Sequence, residues 1–332
     1  MKIAMRYFFL LLLEIMIGLP TFAQDLGKEN GVEENSTLRF KMVSIDEKFP
    51  YGYQINVADM NSDGAYDIIA LREGDDGLVA WYENPSWIPH RITPTTISRP
   101  ISMVLKDIDG DGDLDLTLAH DFDFFDSVEK GSVSWLEHGK DSTTTWTPHL
   151  IDREPMQHRV LWADLDGNGN GELISIPLLG VNAKPTDVLF SPVRIKVSQI
   201  PSNPRTSPWP TTVLYDRFHA VHGMMKLPPN GEKRDSLFIA SYEGISILRL
   251  NEKGSVECSV WHEGHQKNEA NKGSSEITLG SIQGEPFYAA IEPRHGNELV
   301  LYPGANVSIG SDKPMRNVID DSIQVGHGIH CA

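Results

Sequence analysis

The stretch LKDIDGDGDLDLTLA at 105–119 decides the fold. A short apolar run leads in, five aspartates and two glycines fill the middle, and an alternating apolar run leads out. That order reads as strand, tight loop, strand. It recurs without gaps in VADMNSDGAYDIIAL (57–71) and WADLDGNGNGELISI (162–176). Two further strand-like runs follow each loop, GLVAWYENP (77–85) and WIPHRIT (87–93) in the first unit, GSVSWLEHG (131–139) and WTPHLID (146–152) in the second. FKMVSID (40–46) precedes the first loop, and weaker copies stand at 211–216, 258–264 and 316–321.

Self-similarity at a period of roughly 50 residues marks a repeat architecture. Strand starts at Tyr53, Ile101, His158, His219, about Ile277 and His327 mark six units of four short strands. Sandwich domains need about 100 residues each. The expectation is therefore an all-β protein, a β-propeller of four-stranded blades. The predicted type is seven-bladed and truncated at the C-terminus, because GHGIHCA matches the opening of an innermost strand. The predicted organisation is a signal peptide at 1–23, a flexible lead-in at 24–37 and a propeller at 38–332 with its last blade incomplete. A strand near 38–46 is expected to help close the ring.

The acidic loops have cation-ligand spacing. Asp107, Asp109, Asp111 and Asp115 occupy positions 1, 3, 5 and 9 of the second loop. Asp59, Asn61, Asp63 and Asp67 hold those positions in the first, and Asp164, Asp166, Asn168 and Glu172 in the third. Hard oxygen ligands so spaced suit Ca²⁺ in a structural role. Solvated turns rich in Asp and Asn are the alternative; recurrence in register favours the cation.

Tandem D-x-[DN]-x-[DN]-G-x-x-[DE]-[ILV] resembles the FG-GAP/VCBS repeat of integrin-type propellers. HRVLWADLDGNGNGELISIPLLG, FHAVHG, IASYEGI, AAIEPRHGNELVLY and GHGIHCA are similar to the propeller of aldos-2-ulose dehydratase and its secreted bacterial relatives. The resemblance implies dehydration of oxidised sugars such as 1,5-anhydro-fructose by an enzyme that joins its propeller to metal-binding cupin domains.

Six residues before the first loop aspartate stand Tyr53, Ile101 and His158, with His219 and His327 at the equivalent place in weaker units. The innermost strand begins there, so ring closure gathers these residues at one channel mouth. By strand alternation His222 and His330 point the other way. His295 reaches the same face through a loop, and Arg159 and Arg294 supply positive charge. Tyr53, His158, His219 and His295 are the candidate acids and bases of a carbon–oxygen lyase, a sugar dehydratase or polysaccharide lyase. Clustered imidazoles also suit Zn²⁺ or another divalent metal. The alternative is a non-catalytic glycan- or protein-binding module stabilised by calcium. The repeated Trp81 and Trp135 are read as packing between blades.

The 332 residues carry 46 acidic and 29 basic side chains, a net charge of −17. That excess argues against nucleic acid as a partner and favours cations and neutral carbohydrate or sugar derivatives. Lys2 and Arg6, an apolar run to Leu19 and Thr21-Phe22-Ala23 form a secretory leader. The expected location is secreted or periplasmic, with no membrane span after cleavage.

Overall fold

The computed structural model describes residues 41–139, 144–228, 231–304 and 307–331. The proposed leader and lead-in lie outside the described residues. Twenty strands form five antiparallel four-stranded sheets, each built in chain order. The first contains β1 (Gly52–Ala58), β2 (Asp67–Arg72), β3 (Leu78–Glu83) and β4 (Ile88–Arg91). The second contains β5 (Ser102–Lys106), β6 (Asp115–His120), β7 (Ser132–Glu137) and β8 (Thr147–Arg153). The third contains β9 (Gln157–Ala163), β10 (Glu172–Pro177), β11 (Val193–Ser198) and β12 (Thr211–Phe218). The fourth contains β13 (Gly223–Lys226), β14 (Leu237–Ser241), β15 (Gly244–Leu250) and β16 (Val256–His262). The fifth contains β17 (Glu276–Ile282), β18 (Glu285–Glu292), β19 (Glu298–Pro303) and β20 (Asn317–Asp320).

The first strands of successive sheets contact one another, β1 to β5, β5 to β9, β9 to β13 and β13 to β17. They therefore line the centre, and the sheets are propeller blades. The second strand of a blade is covered on both faces by its neighbours. That is why β6, β10 and β14 are buried at every position. The core lies between blades: Ile69, Leu71 and Trp81 of the first pack with Met103, Leu116 and Leu136 of the second. Trp81 and Trp135 are buried, and each stacks on a histidine, His90 at 4.4 Å and His149 at 4.6 Å between ring centroids. Each histidine bonds a glutamate at 2.9 Å, Glu83 and Glu137. The repeated aromatics are packing elements, as their place in the repeat predicts.

Three expectations are corrected. The described blades number five, not seven. Residues 41–46 form no strand. His327 lies in irregular chain that crosses the inner edge of the fifth blade: Gly326 N–H donates to Gly296 O at 2.8 Å, and a Cβ on Gly280 would meet Cys331. No strand pairs with this segment among the described residues, and without a ladder partner its backbone has no reason to stay extended. Among the described residues no helix is long and apolar enough to cross a membrane.

Candidate functional site

The up-and-down order of each blade sorts the loops onto two faces. Loops joining first to second strands open on one face, and these are the acidic loops. Loops joining second to third strands, and the links between blades, open on the other, at the channel mouth.

The acidic loops share one internal geometry. The position-6 glycines Gly64, Gly112 and Gly169 have φ of 87°, 97° and 89°. Each donates its N–H to the position-1 aspartate: Gly64 to Asp59 (2.8 Å), Gly112 to Asp107 (3.1 Å), Gly169 to Asp164 (2.9 Å). The position-9 acids are buried at the loop base. Asp67 accepts from Met60 and Asn84 N–H, Asp115 from Ile108 and His138 N–H, and Glu172 from Leu165 N–H. Burial pushes the Asp115 carboxyl up to about 7, against its backbone hydrogen bonds, with Asp109 and Asp111 adding repulsion. Carboxylate oxygens of Asp107, Asp109 and Asp115 lie within 4.8 Å of one another, as do those of Asp164, Asp166 and Glu172. Such convergent hard oxygens fit a calcium ion. Asp111 and Asn168 lie outside these two groups, and they and Asp63 accept N–H groups inside their loops. Arg205, from the chain between β11 and β12, pairs with Asp109 and with Glu137. The first loop differs: Ser62 takes a φ of 58° where the others have Gly110 and Gly167, and its Asn61 amide bonds Asp63 at 3.2 Å.

The opposite face gathers four imidazoles and a phenol. Tyr53 on β1 and His158 on β9 stand at inner-strand starts, where each pairing register slips. His295 comes from the β18–β19 loop and His327 from the segment after β20. Tyr53 Oη lies 3.2 Å from His158 Nε2 and 3.1 Å from His327 Nε2. Arg159 Nη1 lies 3.1 Å from His158 Nε2 and 3.4 Å from Tyr53 Oη. Arginine can only donate, so His158 Nε2 is the nitrogen that carries a lone pair.

The structure does not bring His219 into this cluster. Its Nδ1 bonds Glu243 at 2.7 Å and it remains 23% exposed. His222 takes the inner place instead. His222 N–H donates to Ala240 O at 3.1 Å, as Ile101 N–H donates to Ala119 O at 2.9 Å. A register counted from an acidic loop fails in the fourth unit, which has lost that loop, and Ala220 at φ 45° turns the chain before β13. His222 is fully buried. Its Nδ1 bonds Glu276 Oε1 at 2.8 Å, and its Nε2 lies 2.9 Å from His295 Nε2. The same Glu276 oxygen accepts from Arg159 Nη2 at 2.8 Å. Glu276 was not evident from sequence; its one signal is an acidic residue opening an inner strand.

Burial depresses every imidazole here, and the arginines deepen the effect. His158 and His222 fall well below the usual range, His295 to about 4 and His327 to about 2. Burial raises Tyr53 to about 12, against the pull of Arg159. Burial opposes the Arg159 charge, but Tyr53 and Glu276 outweigh it and its pKa rises. The result is a set of neutral imidazoles beside a protonated phenol.

His222, His295 and His327 each offer a nitrogen within 4.8 Å of the others. Nitrogens around a tetrahedral Zn²⁺ lie about 3.3 Å apart, given bonds near 2.0 Å. Donation of His222 Nδ1–H to Glu276 leaves its Nε2 lone pair facing the other two rings, the carboxylate–histidine arrangement found behind metal ligands. The donor set fits a divalent transition metal.

No curated protein matches the chain. Among solved structures it is similar to an Agrocybe aegerita lectin that recognises non-reducing terminal N-acetylglucosamine, at 14% identity and a TM-score of 0.48, over 83% of this chain and 68% of that one. It is also similar to the V. cholerae biofilm matrix protein Bap1, at 13% identity and a TM-score of 0.41, over 78% of this chain and 40% of that one. An FG-GAP-like repeat model matches residues 59–118. The model of the aldos-2-ulose dehydratase beta-propeller domain matches residues 130–304, just over half of the 332. The chain belongs to that propeller family.

Proposed function

We propose that the chain is an exported, calcium-stabilised propeller that acts as a carbon–oxygen lyase on an oxidised or anhydro sugar at the channel mouth. The observation that carries this reading is the Tyr53 phenol, held between His158 and His327 at 3.2 and 3.1 Å with Arg159 beside it. Elimination needs a base for a proton α to a carbonyl or carboxylate, and an acid for the departing oxygen. His158 Nε2 is the base. As the C–H bond breaks, its electron pair forms the new double bond and the C–O electrons leave with the oxygen. That oxygen takes the Tyr53 proton. The His158 imidazolium then returns its proton to the phenolate along the hydrogen bond that already joins them, which restores both groups. Arg159 favours this sequence because its charge disfavours a protonated His158 at rest and stabilises the phenolate afterwards.

His222, His295 and His327 would hold Zn²⁺ or another divalent ion, with Glu276 orienting His222. Such an ion supplies Lewis-acid stabilisation of the enolate. On the other face, Asp107, Asp109 and Asp115, and Asp164, Asp166 and Glu172, would hold Ca²⁺.

The test is an elimination assay on the full chain with Zn²⁺ and Ca²⁺, offering 1,5-anhydro-fructose and uronate oligosaccharides. The expected result is an unsaturated product, with Tyr53→Phe and His158→Ala each slower by about 10²-fold or more. No product from the wild type on either substrate class would contradict the lyase and leave the non-catalytic binding module.

A further inference from the structure

Arg294 stands beside His295 on the β18–β19 loop, and its charge bears on both His295 and His222. Its Nη1 is buried with no hydrogen-bond partner. Among the described residues no carboxylate pairs with it. The nearby acids are committed elsewhere: Glu276 to Arg159 and His222, and Glu292 to Tyr302 and Arg316. Ser275, whose backbone N–H donates to Ile291 O on the strand that leads to Arg294, also buries a hydroxyl without a partner. Arg294 is half-buried, and a buried guanidinium nitrogen is costly to leave without an acceptor. Arg159, with Nη1 3.1 Å from His158 Nε2, has its glutamate at 2.8 Å; Arg294 has none among the described residues. A divalent ion among the imidazoles would add to the positive charge rather than balance it. Among the described residues nothing balances that charge, which leaves the position open to an anionic ligand.

We infer that the ligand of this centre is an acidic sugar, a uronic acid unit, and that Arg294 pairs with its carboxylate. This rests on the reading of the mouth as an elimination centre and narrows it. The proton removed is then the one α to the carboxylate, and it passes to His158 Nε2. The C–H electron pair becomes the ring double bond, the adjacent C–O bond breaks, and the departing oxygen is protonated by Tyr53. Bidentate pairing of guanidinium with carboxylate gives Arg294 a preference that a neutral sugar cannot satisfy.

The test is calorimetric titration of the full chain, in Ca²⁺ and without transition metal, with D-glucuronate and with D-glucose. These differ only at the carboxylate-bearing carbon. The wild type is expected to bind glucuronate at least about tenfold more tightly, Arg294→Gln to lose that preference, and Arg294→Lys to keep part of it. Equal affinities in the wild type, no binding of either sugar, or a preference that survives in folded Arg294→Gln would each overturn the inference. The wild-type ratio needs no variant, so misfolding of Arg294→Gln does not blunt the test. Because nothing turns over, a glucuronate preference without any elimination product supports the anion site while sinking the lyase.

Discussion

Replacing Glu276 by glutamine tests how the channel mouth is held together. One oxygen, Glu276 Oε1, accepts from Arg159 Nη2 and His222 Nδ1, both at 2.8 Å. The Arg159 side chain is 17% exposed and that of His222 is 0%. Glutamine keeps the shape and one acceptor oxygen but removes the charge, leaving the guanidinium uncompensated. Breaking a buried pair in this way costs about 3–5 kcal/mol. Arg159 retains its contact with the Tyr53 hydroxyl and some access to water, so a loss of about 3 kcal/mol is expected, the lower end of that range. The assay is urea unfolding of the full chain at fixed Ca²⁺. The same change loosens the orientation of His222, so Zn²⁺ affinity, read by competition with a chromophoric chelator, should fall by roughly 10–100-fold. A stability change below about 1 kcal/mol, the scale of an exposed pair, together with unchanged Zn²⁺ affinity, would refute the reasoning.

Other consequences are open to direct measurement. Saturating the acidic loops at a hundredfold excess of Ca²⁺ over Kd should add about 2.7 kcal/mol per site, and chelation should lower the thermal midpoint accordingly; a midpoint indifferent to chelator would count against calcium there. Ser62→Gly should raise stability by about 1 kcal/mol, because it removes a side chain from a left-handed backbone position; the same change to alanine should not. Glu298 is buried, which alone would raise its pKa, but His265 and Arg316 outweigh burial and hold it at about 2. A depressed folded-state pKa gives stability that is present above the ordinary carboxylate range, about 4.5, and lost as pH falls toward 2. Over that window the wild type should lose on the order of 3 kcal/mol through this group, and Glu298→Gln should flatten the slope.

The blades were legible because a propeller writes its period into the chain. The acidic loops at 57–71, 105–119 and 162–176 fix both register and fold, and their three aligned copies point to the same ligand positions. The channel mouth was legible where that ruler extends, and at His295, which was expected there through its loop. Tyr53 and His158 lie a fixed distance before an acidic loop; His222 belongs to a unit that has lost its loop, so the ruler chose His219. Glu276 was harder still, because its importance lies in one oxygen shared between Arg159 and His222, which is not a property of sequence spacing. Arg294 was expected to bring positive charge to this face, but that no carboxylate among the described residues pairs with it is visible only in the structure. The blade count failed for a different reason. Residues 41–46 have strand-like composition and 326–331 match the opening of an inner strand, but a strand needs a ladder partner, and sequence does not reveal whether one is present.

The central claim is that the imidazoles at the channel mouth form one functional centre, distinct from the acidic loops on the opposite face. The most direct measurement is anomalous diffraction at the zinc edge from crystals of the full chain grown with Ca²⁺ and Zn²⁺. The account predicts a zinc peak bounded by His222, His295 and His327, with calcium confined to the loops of Asp107 and Asp164. Zinc absent from the mouth, with His222 and His295 still bonded to each other, would contradict it.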